Sequence, residues 1–336
     1  MTVVKHVDLG TYRANLAQIM DQMAPARVMA VVKADGYGHG LIETARAATN
    51  AGVPILGVLD IESGLEIRKA GIHTPAFAWL HSPSSDFQTA VRAGIELSVN
   101  SLQELENVAR VDGIAKVHLK LDSGLSRNGT RPEGWEALVK RAVALDNKNQ
   151  IDFSAIWTHL SGTSRETDLK QLAIFDDAFK VAIGLGFTGY RHVASSPAAF
   201  SLPEARYELV RIGVSAFGTS PIEGVASSEL GLGCPMTLTA EVLAPETISI
   251  GFLHGYFSLL EGKAQVAIGG KLYKVLKIGP LASRIESGDY QPGDSVVVFG
   301  DSSEVAPTAE VLCELVNTVT DELFTGLKAN STIYSA

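Results

Sequence analysis

The sequence predicts an α/β chain: a TIM-type (β/α)8 barrel followed by a smaller, mainly β C-terminal domain. Three features carry that prediction. Eight short apolar runs each end in a polar or glycine-bearing turn, alanine-rich helical segments separate most of them, and the texture changes after about Gly231. Strand-then-helix units pack right-handedly into a parallel sheet, and eight of them close naturally into a barrel. An open, doubly wound sheet would satisfy the same alternation, because closure leaves no mark in the sequence.

In order, the runs are VMAVV (28–32), ILGVL (55–59), PAFAW (75–79), IELSV (95–99), VHLKL (117–121), FSAIWT (153–158), YRHVA (190–194) and YELVRI (207–212). Between them, segments such as GLIETARAATNAG and SLQELENVARVDG have helical periodicity. Residues 1–230 are therefore expected to form the barrel. From 231 to 336 the runs MTLTAEVLA, KAQVAIGG, KLYKVLKIG and DSVVVFGD are short, β-branched and punctuated by GG and GD, which reads as a β-rich domain. A helical stretch, TAEVLCELVNTV, precedes the tail NSTIYSA.

Composition narrows the function. Apolar residues make up 46% of the 336, charged residues 19%, and the formal net charge is −9, which disfavours bulk attraction to nucleic acid or anionic lipid. Two isolated cysteines, Cys234 and Cys313, make neither a disulfide framework nor a zinc site. No apolar segment approaches membrane-spanning length, and MTVVKHVDLG lacks the apolar core of a signal peptide. The expected setting is cytoplasmic, with a small-molecule substrate and neither a nucleic-acid nor a membrane partner.

Barrel chemistry collects at the C-terminal ends of the strands, with a phosphate site often formed after strands 7 and 8. Strand ends here offer Lys33, then Asp122 to Arg127, His159, the pair Ser195 and Ser196, and Arg211 with Gly213. A lysine, a hydroxyl-and-glycine cradle and an arginine point to pyridoxal 5′-phosphate (PLP) held as a Schiff base, with no metal. Blander roles exist for each. Lys33 could reach water along an apolar stem. Arg211 could pair with Glu208, and the serines could cap a helix. His118 and Lys120 share one face of VHLKLD and would point into the barrel, either as an inert polar layer or with the lysine in need of a partner or modification.

The wording of those strand ends is specific. VVKADGYGHG resembles the PLP-lysine motif of the alanine racemase family, the barrel-type PLP enzymes. LKLDSGLSRNG, WTHLS, HVASSPAAF and VRIGVSAFGTSP are similar to that family too, in the same order. The resemblance implies that Lys33 carries PLP and exchanges a proton with the substrate α-carbon. By the same resemblance Tyr37, Ser196, the backbone N–H groups of Gly213 and Val214, and Tyr334 would hold the phosphate. Arg211 would face the pyridine nitrogen with His159 supporting it, and Arg127 would lie near the substrate carboxylate. Lys120 matches a lysine often carbamylated in the family. The family works as a homodimer whose partner subunit closes the site.

The resemblance breaks in the C-terminal part. The family's second proton acceptor is a tyrosine in an S-Y-G-type segment, whereas TAEVLAPETISIGFLHGYF runs past that point without one. GFLHGYF replaces the family's G-Y-A-D-G, and KIGPLASRI stands in place of G-R-x-C-M-D-Q. Tyr256 is the substitute the sequence offers. The expected activity is interconversion of L- and D-alanine. The alternative is a PLP-binding relative with one-base exchange, decarboxylase or lyase chemistry, or with little turnover.

Overall fold

The computed structural model describes residues 2–82, 84–301 and 305–336. The chain divides into two compact units. One comprises Gln18–Lys33 and Ala48–Gly213; the other comprises Met1–Ala17, Ala34–Ala47 and Val214–Ala336.

After strand β1 (Val4–Asp8) and helix α1 (Leu9–Met23) the first unit builds a closed barrel. Its strands are β2 (Arg27–Val31), β3 (Ile55–Val58), β4 (Ala76–Ala78), β5 (Ile95–Val99), β6 (Ala115–Lys120), β7 (Ile151–Trp157), β8 (Tyr190–Ser195) and β9 (Leu209–Ile212). All neighbours run parallel, and β9 returns to β2 with Arg27 opposite Leu209 and Ala30 opposite Ile212. Each apolar run of the sequence is one of these strands, and closure excludes the open sheet. Met29, Ile55, Phe77, Trp157 and Leu209 pack together as one buried cluster contributed by five different strands. On β6, Val117 and Leu119 alternate with His118 and Lys120, and all four are buried, as expected of a strand with helices on one face and the barrel interior on the other.

The second unit contains a sheet of β10 (Met236–Ala244), β11 (Thr247–Ile248), β12 (Gln265–Ile268), β13 (Lys271–Ile278), β14 (Ser283–Ile285), β15 (Ser295–Phe299) and β16 (Ser331–Ser335), joined by β1. The order is β11-β14-β13-β12-β15-β10-β1-β16, and β11 pairs again with β10. Every pairing is antiparallel except β1 with β16. Strand β10 buries Met236, Leu238, Ala240 and Val242 and turns the residues between them outward, a period of two over its whole length. Gly269 and Gly270 join β12 to β13 with positive φ at both positions, the backbone a two-residue hairpin requires. The sequence did not announce β1, β11, β14 or β16, because each is short, polar or exposed and owes its state to the neighbour it pairs with.

Immediately after Lys33 the backbone turns the wrong way. Ala34, Asp35, Gly36 and Tyr37 all lie near φ 51 to 58 and ψ 41 to 54, a full left-handed turn. For L-residues this costs roughly 1–2 kcal/mol each, so it persists only where it is held. Asp35 Oδ1 accepts from Leu41 N at 2.8 Å, and Gly40 N donates to Asp35 O at 2.9 Å. His39 Nδ1 donates to Tyr37 O at 2.9 Å, and Lys5 Nζ reaches Gly38 O at 2.8 Å. Gly38 closes the turn at φ 77, where a Cβ would land on the Phe324 carbonyl oxygen. Gly38→Ala is therefore expected to destabilise the protein by about 2–4 kcal/mol, through strain and backbone collision together. A urea midpoint equal to that of the unaltered protein would contradict this.

Candidate active site

The barrel brings its functional groups to one set of strand ends. Lys33 follows β2 and is half-buried, Lys120 ends β6, Arg127 lies in the loop after it, and His159 follows β7. Ser196 begins the short helix after β8; Arg211 is on β9 and Gly213 directly beyond it. Residues 122–130 form a compact loop in which Asp122 Oδ1 accepts from Ser126 N at 2.9 Å and Thr130 N donates to Lys120 O at 2.9 Å.

Arg211 is 5% exposed. Its Nη1 donates to His192 O at 2.9 Å and to His192 Nδ1 at 3.2 Å. Its Nη2 donates to Val193 O at 2.8 Å, to Thr158 O at 3.0 Å and to His159 Nδ1 at 3.2 Å. Glu208, the carboxylate it could have paired with, instead takes Arg191 at 2.6 Å. Burial, and after it the charge of Arg127, lowers the Arg211 pKa to about 9, which leaves it charged near neutrality. Among the described residues no hydrogen bond uses its Nε, so one fixed donor remains for a ligand.

The charges that act on His159 beside this arginine are all positive. The His159 pKa falls to about 2, first through burial and then through Arg211, Arg127, Lys120 and Lys33. His159 is thus neutral, and because a guanidinium can only donate, its Nδ1 is the bare nitrogen and its Nε2 carries the proton. Lys120 is almost wholly buried, with its ammonium 4.3 Å above the Trp157 ring and hydrogen-bonded to Asn128 Oδ1. Burial first, then Arg127 and Arg211, lowers its pKa to about 7, against a smaller opposing effect of Asp122. Among the described residues no carboxylate forms an ion pair with Lys120, Arg127 or Arg211. Such a group of cations asks for an anionic ligand. Ser196 Oγ accepts from Gly213 N at 3.1 Å, a hydroxyl and backbone pair of the kind that cradles phosphate. The donors present fit PLP with an amino-acid carboxylate beside it.

The remaining expected site residues lie in the other unit. Tyr37 is 4% exposed within the left-handed turn and leans on Phe217 at 5.1 Å. Val214 opens a 3-10 turn. Tyr334 sits on β16, with its hydroxyl over Gly40, where a Cβ would collide with it and with the Glu43 carboxylate. Burial first, then Glu43 and Asp35, raises its pKa to about 12. Tyr256 is 1% exposed among Ile248, Ile250, Leu260 and their neighbours, and its hydroxyl has no hydrogen-bond partner among the described residues. Burial raises its pKa above the ordinary range, so the phenol resists the ionisation a base needs.

Residues 7–221 match the family model for the N-terminal domain of alanine racemases. The chain belongs to the alanine racemase family. An alanine racemase of Beutenbergia cavernae is 32% identical over 356 aligned positions, covering 96% of this chain and 94% of that protein. One from Salinispora tropica is 31% identical, covering 95% and 94% respectively. Among solved structures, the alanine racemase of the D-cycloserine producer Streptomyces lavendulae superposes with a TM-score of 0.95 at 29% identity, covering 100% of this chain and 97% of that one.

An alignment of 356 positions exceeds the 336 residues available, so the relative carries segments this chain lacks. In the structure β10 ends at Ala244 and β11 begins at Thr247, so only Pro245 and Glu246 join them, with Glu246 at φ 57. Neither that turn nor the stretch from Thr247 to Gly251 after it holds a tyrosine. One group that sequence reasoning missed also emerges here. Glu96, inside the run IELSV, is 5% exposed and bonded to His118. A carboxylate at the second position of an otherwise apolar barrel strand was the available signal.

Proposed function

We propose that this chain is a PLP-dependent alanine racemase, and the observation that carries the proposal is the pair of buried cations Lys120 and Arg211 with Arg127 and Lys33 near them in a family barrel, where among the described residues no carboxylate is ion-paired to Lys120, Arg127 or Arg211. Bound PLP would draw electron density from the substrate α-carbon and make its proton removable. Lys33 would carry the cofactor and exchange that proton. Arg211 offers only donors, so a ring nitrogen facing its Nε would accept a hydrogen bond and stay unprotonated. That tempers the electron withdrawal and favours return of the proton over transamination. His159, neutral and accepting from Nη2, would hold the guanidinium plane.

Ser196 with the N–H groups of Gly213 and Val214, and Tyr37 with Tyr334, would hold the phosphate. Arg127 would meet the substrate carboxylate. Lys120 has the chemistry a carbamate requires, because only a neutral amine adds CO2 and its pKa lies at about 7. A carbamate there would supply the anion that the cations lack. Tyr256 stays outside the proposal, since its apolar surroundings remove it from proton transfer. The working form would be a cytoplasmic homodimer, as the family pattern implies; no described helix is long and apolar enough to cross a membrane.

The test is PLP-loaded protein with L-alanine in deuterated water, followed by proton NMR and chiral chromatography. Racemisation is expected to yield D-alanine deuterated at the α-carbon. α-Deuterated L-alanine without any D-alanine would replace racemisation by one-base exchange. Loss of CO2 would replace it by decarboxylation.

A further inference from the structure

Beneath Arg211 runs a chain of four buried groups. His192 Nδ1 faces Arg211 Nη1 at 3.2 Å, His192 Nε2 faces His118 Nδ1 at 3.0 Å, and His118 Nε2 faces Glu96 Oε2 at 3.0 Å. The exposures are 5% for Arg211, 0% for both histidines and 5% for Glu96. Both rings are fixed by stacking. Phe77 lies on His118 at 4.3 Å and 18°, and Trp157 lies parallel to His192 at 5.4 Å and 8°.

The two ends decide where every proton sits. A guanidinium cannot accept, so His192 Nδ1 must be bare and its proton must be on Nε2. That proton points at His118 Nδ1, which must then be bare, leaving the His118 proton on Nε2. It is donated to the Glu96 carboxylate, which can only accept. The arrangement has one direction, from the cation to the carboxylate. Other groups around it agree. Lys116 holds the second Glu96 oxygen at 2.9 Å, and Tyr190 Oη stands 3.3 Å from His118 Nε2, farther than the carboxylate. Arg27 lies over the Tyr190 ring, while Arg68 from a helix and Lys120 and Asp152 from β6 and β7 contribute charge. Burial raises the Glu96 pKa, and the bond from His118 and the charge of Lys116 outweigh it, so the carboxyl stays ionised.

We infer that Glu96 is a positioning residue for Arg211, acting through His118 and His192 to fix the guanidinium that faces the cofactor ring. This rests on the proposed role of Arg211. If His192 carried its proton on Nδ1, two N–H groups would oppose each other and the guanidinium would have to move. Glu96, four strands away around the barrel and without contact to substrate, prevents that. It also supplies, through polarised hydrogen bonds, the negative charge that Arg211 lacks nearby.

Histidine tautomers give a direct readout by long-range proton–nitrogen correlation on 15N-histidine protein, with and without PLP. In the unaltered protein, both His118 and His192 are expected to be neutral with the proton on Nε2. A proton on Nδ1 of either ring would overturn the chain. In Glu96→Ala the His118 Nδ1–H form should become populated, the His192 signals should move with it, and kcat should fall by about tenfold, the loss of one charge-assisted hydrogen bond. Unmoved His192 signals or an unchanged kcat in that variant would overturn the role. Should Glu96→Ala fail to fold, Glu96→Gln takes its place: an amide oxygen preserves the tautomers but not the charge, and kcat should still drop. The tautomers are read without cofactor, so their failure is separable from failure of the racemase proposal.

Discussion

Lys33→Ala is expected to abolish the visible absorbance of the PLP-loaded protein and to reduce racemisation by at least about a thousandfold, while the fold survives. Lys33 would supply both the covalent attachment and a proton acceptor, and positioned acid–base groups alone contribute roughly 10²–10⁴ in rate. Its removal should leave stability intact. Lys33 is half-buried past the end of β2, and its charge adds to those of Lys120, Arg127 and Arg211 around His159. Taking away one like charge relieves repulsion. Lys33→Arg separates the two roles: it keeps the cation but offers no amine for attachment, and its activity should fall as far as that of the alanine variant. Absorbance at the wild-type position in either variant would remove Lys33 as the cofactor lysine.

The second large effect is loss of stability in mild acid. His39, His118 and His192 are each 0% exposed, and burial, the first cause in every case, lowers their pKa values; that of His39 falls to about 3. His159 falls to about 2. The unfolded chain protonates these rings near pH 6.5, the folded one at lower pH, and at much lower pH for His39, His159 and His192. Between those limits the unfolded state binds more protons, so stability is full above about pH 6.5 and declines as pH drops. Each ring adds about 1.4 kcal/mol per pH unit to the slope. His39, His159 and His192 together remove several kcal/mol by pH 5.5, a large part of the roughly 5–15 kcal/mol available to a folded protein. Urea midpoints at pH 7.0 and 5.5 measure this directly. Equal values would mean that the rings are protonated or solvated in the folded state, and the neutral chain from Arg211 to Glu96 would fall with them.

The sequence by itself determined a great deal. Barrel strands announce themselves because each is a local apolar run ended by a turn, and the eight runs lie within two residues of the eight strands. Lys33, His159, Ser196 and Arg211 were legible as strand-end residues, because a parallel barrel puts every such end on one side. That the stretch from the end of β10 to Gly251 carries no tyrosine was legible too.

Tertiary structure decided the rest, for a reason rooted in distance along the chain. Glu96, His118, His192 and Arg211 come from four strands, and their bonds join residues 22, 74 and 19 positions apart, which no local pattern encodes. That Arg211 ignores Glu208 follows from register, since Arg191 on the adjacent strand reaches that carboxylate first. Tyr256 looked available in the sequence and proved to be core, because burial belongs to the sheet around it and not to the residues beside it. The left-handed turn after Lys33 has one glycine among its four residues, so propensity argues against it; bonds from Lys5, Asp35 and His39 impose it. Residue types and their order set which chemistry this chain can carry; long-range packing and hydrogen bonding set which of those groups are charged, neutral or out of reach.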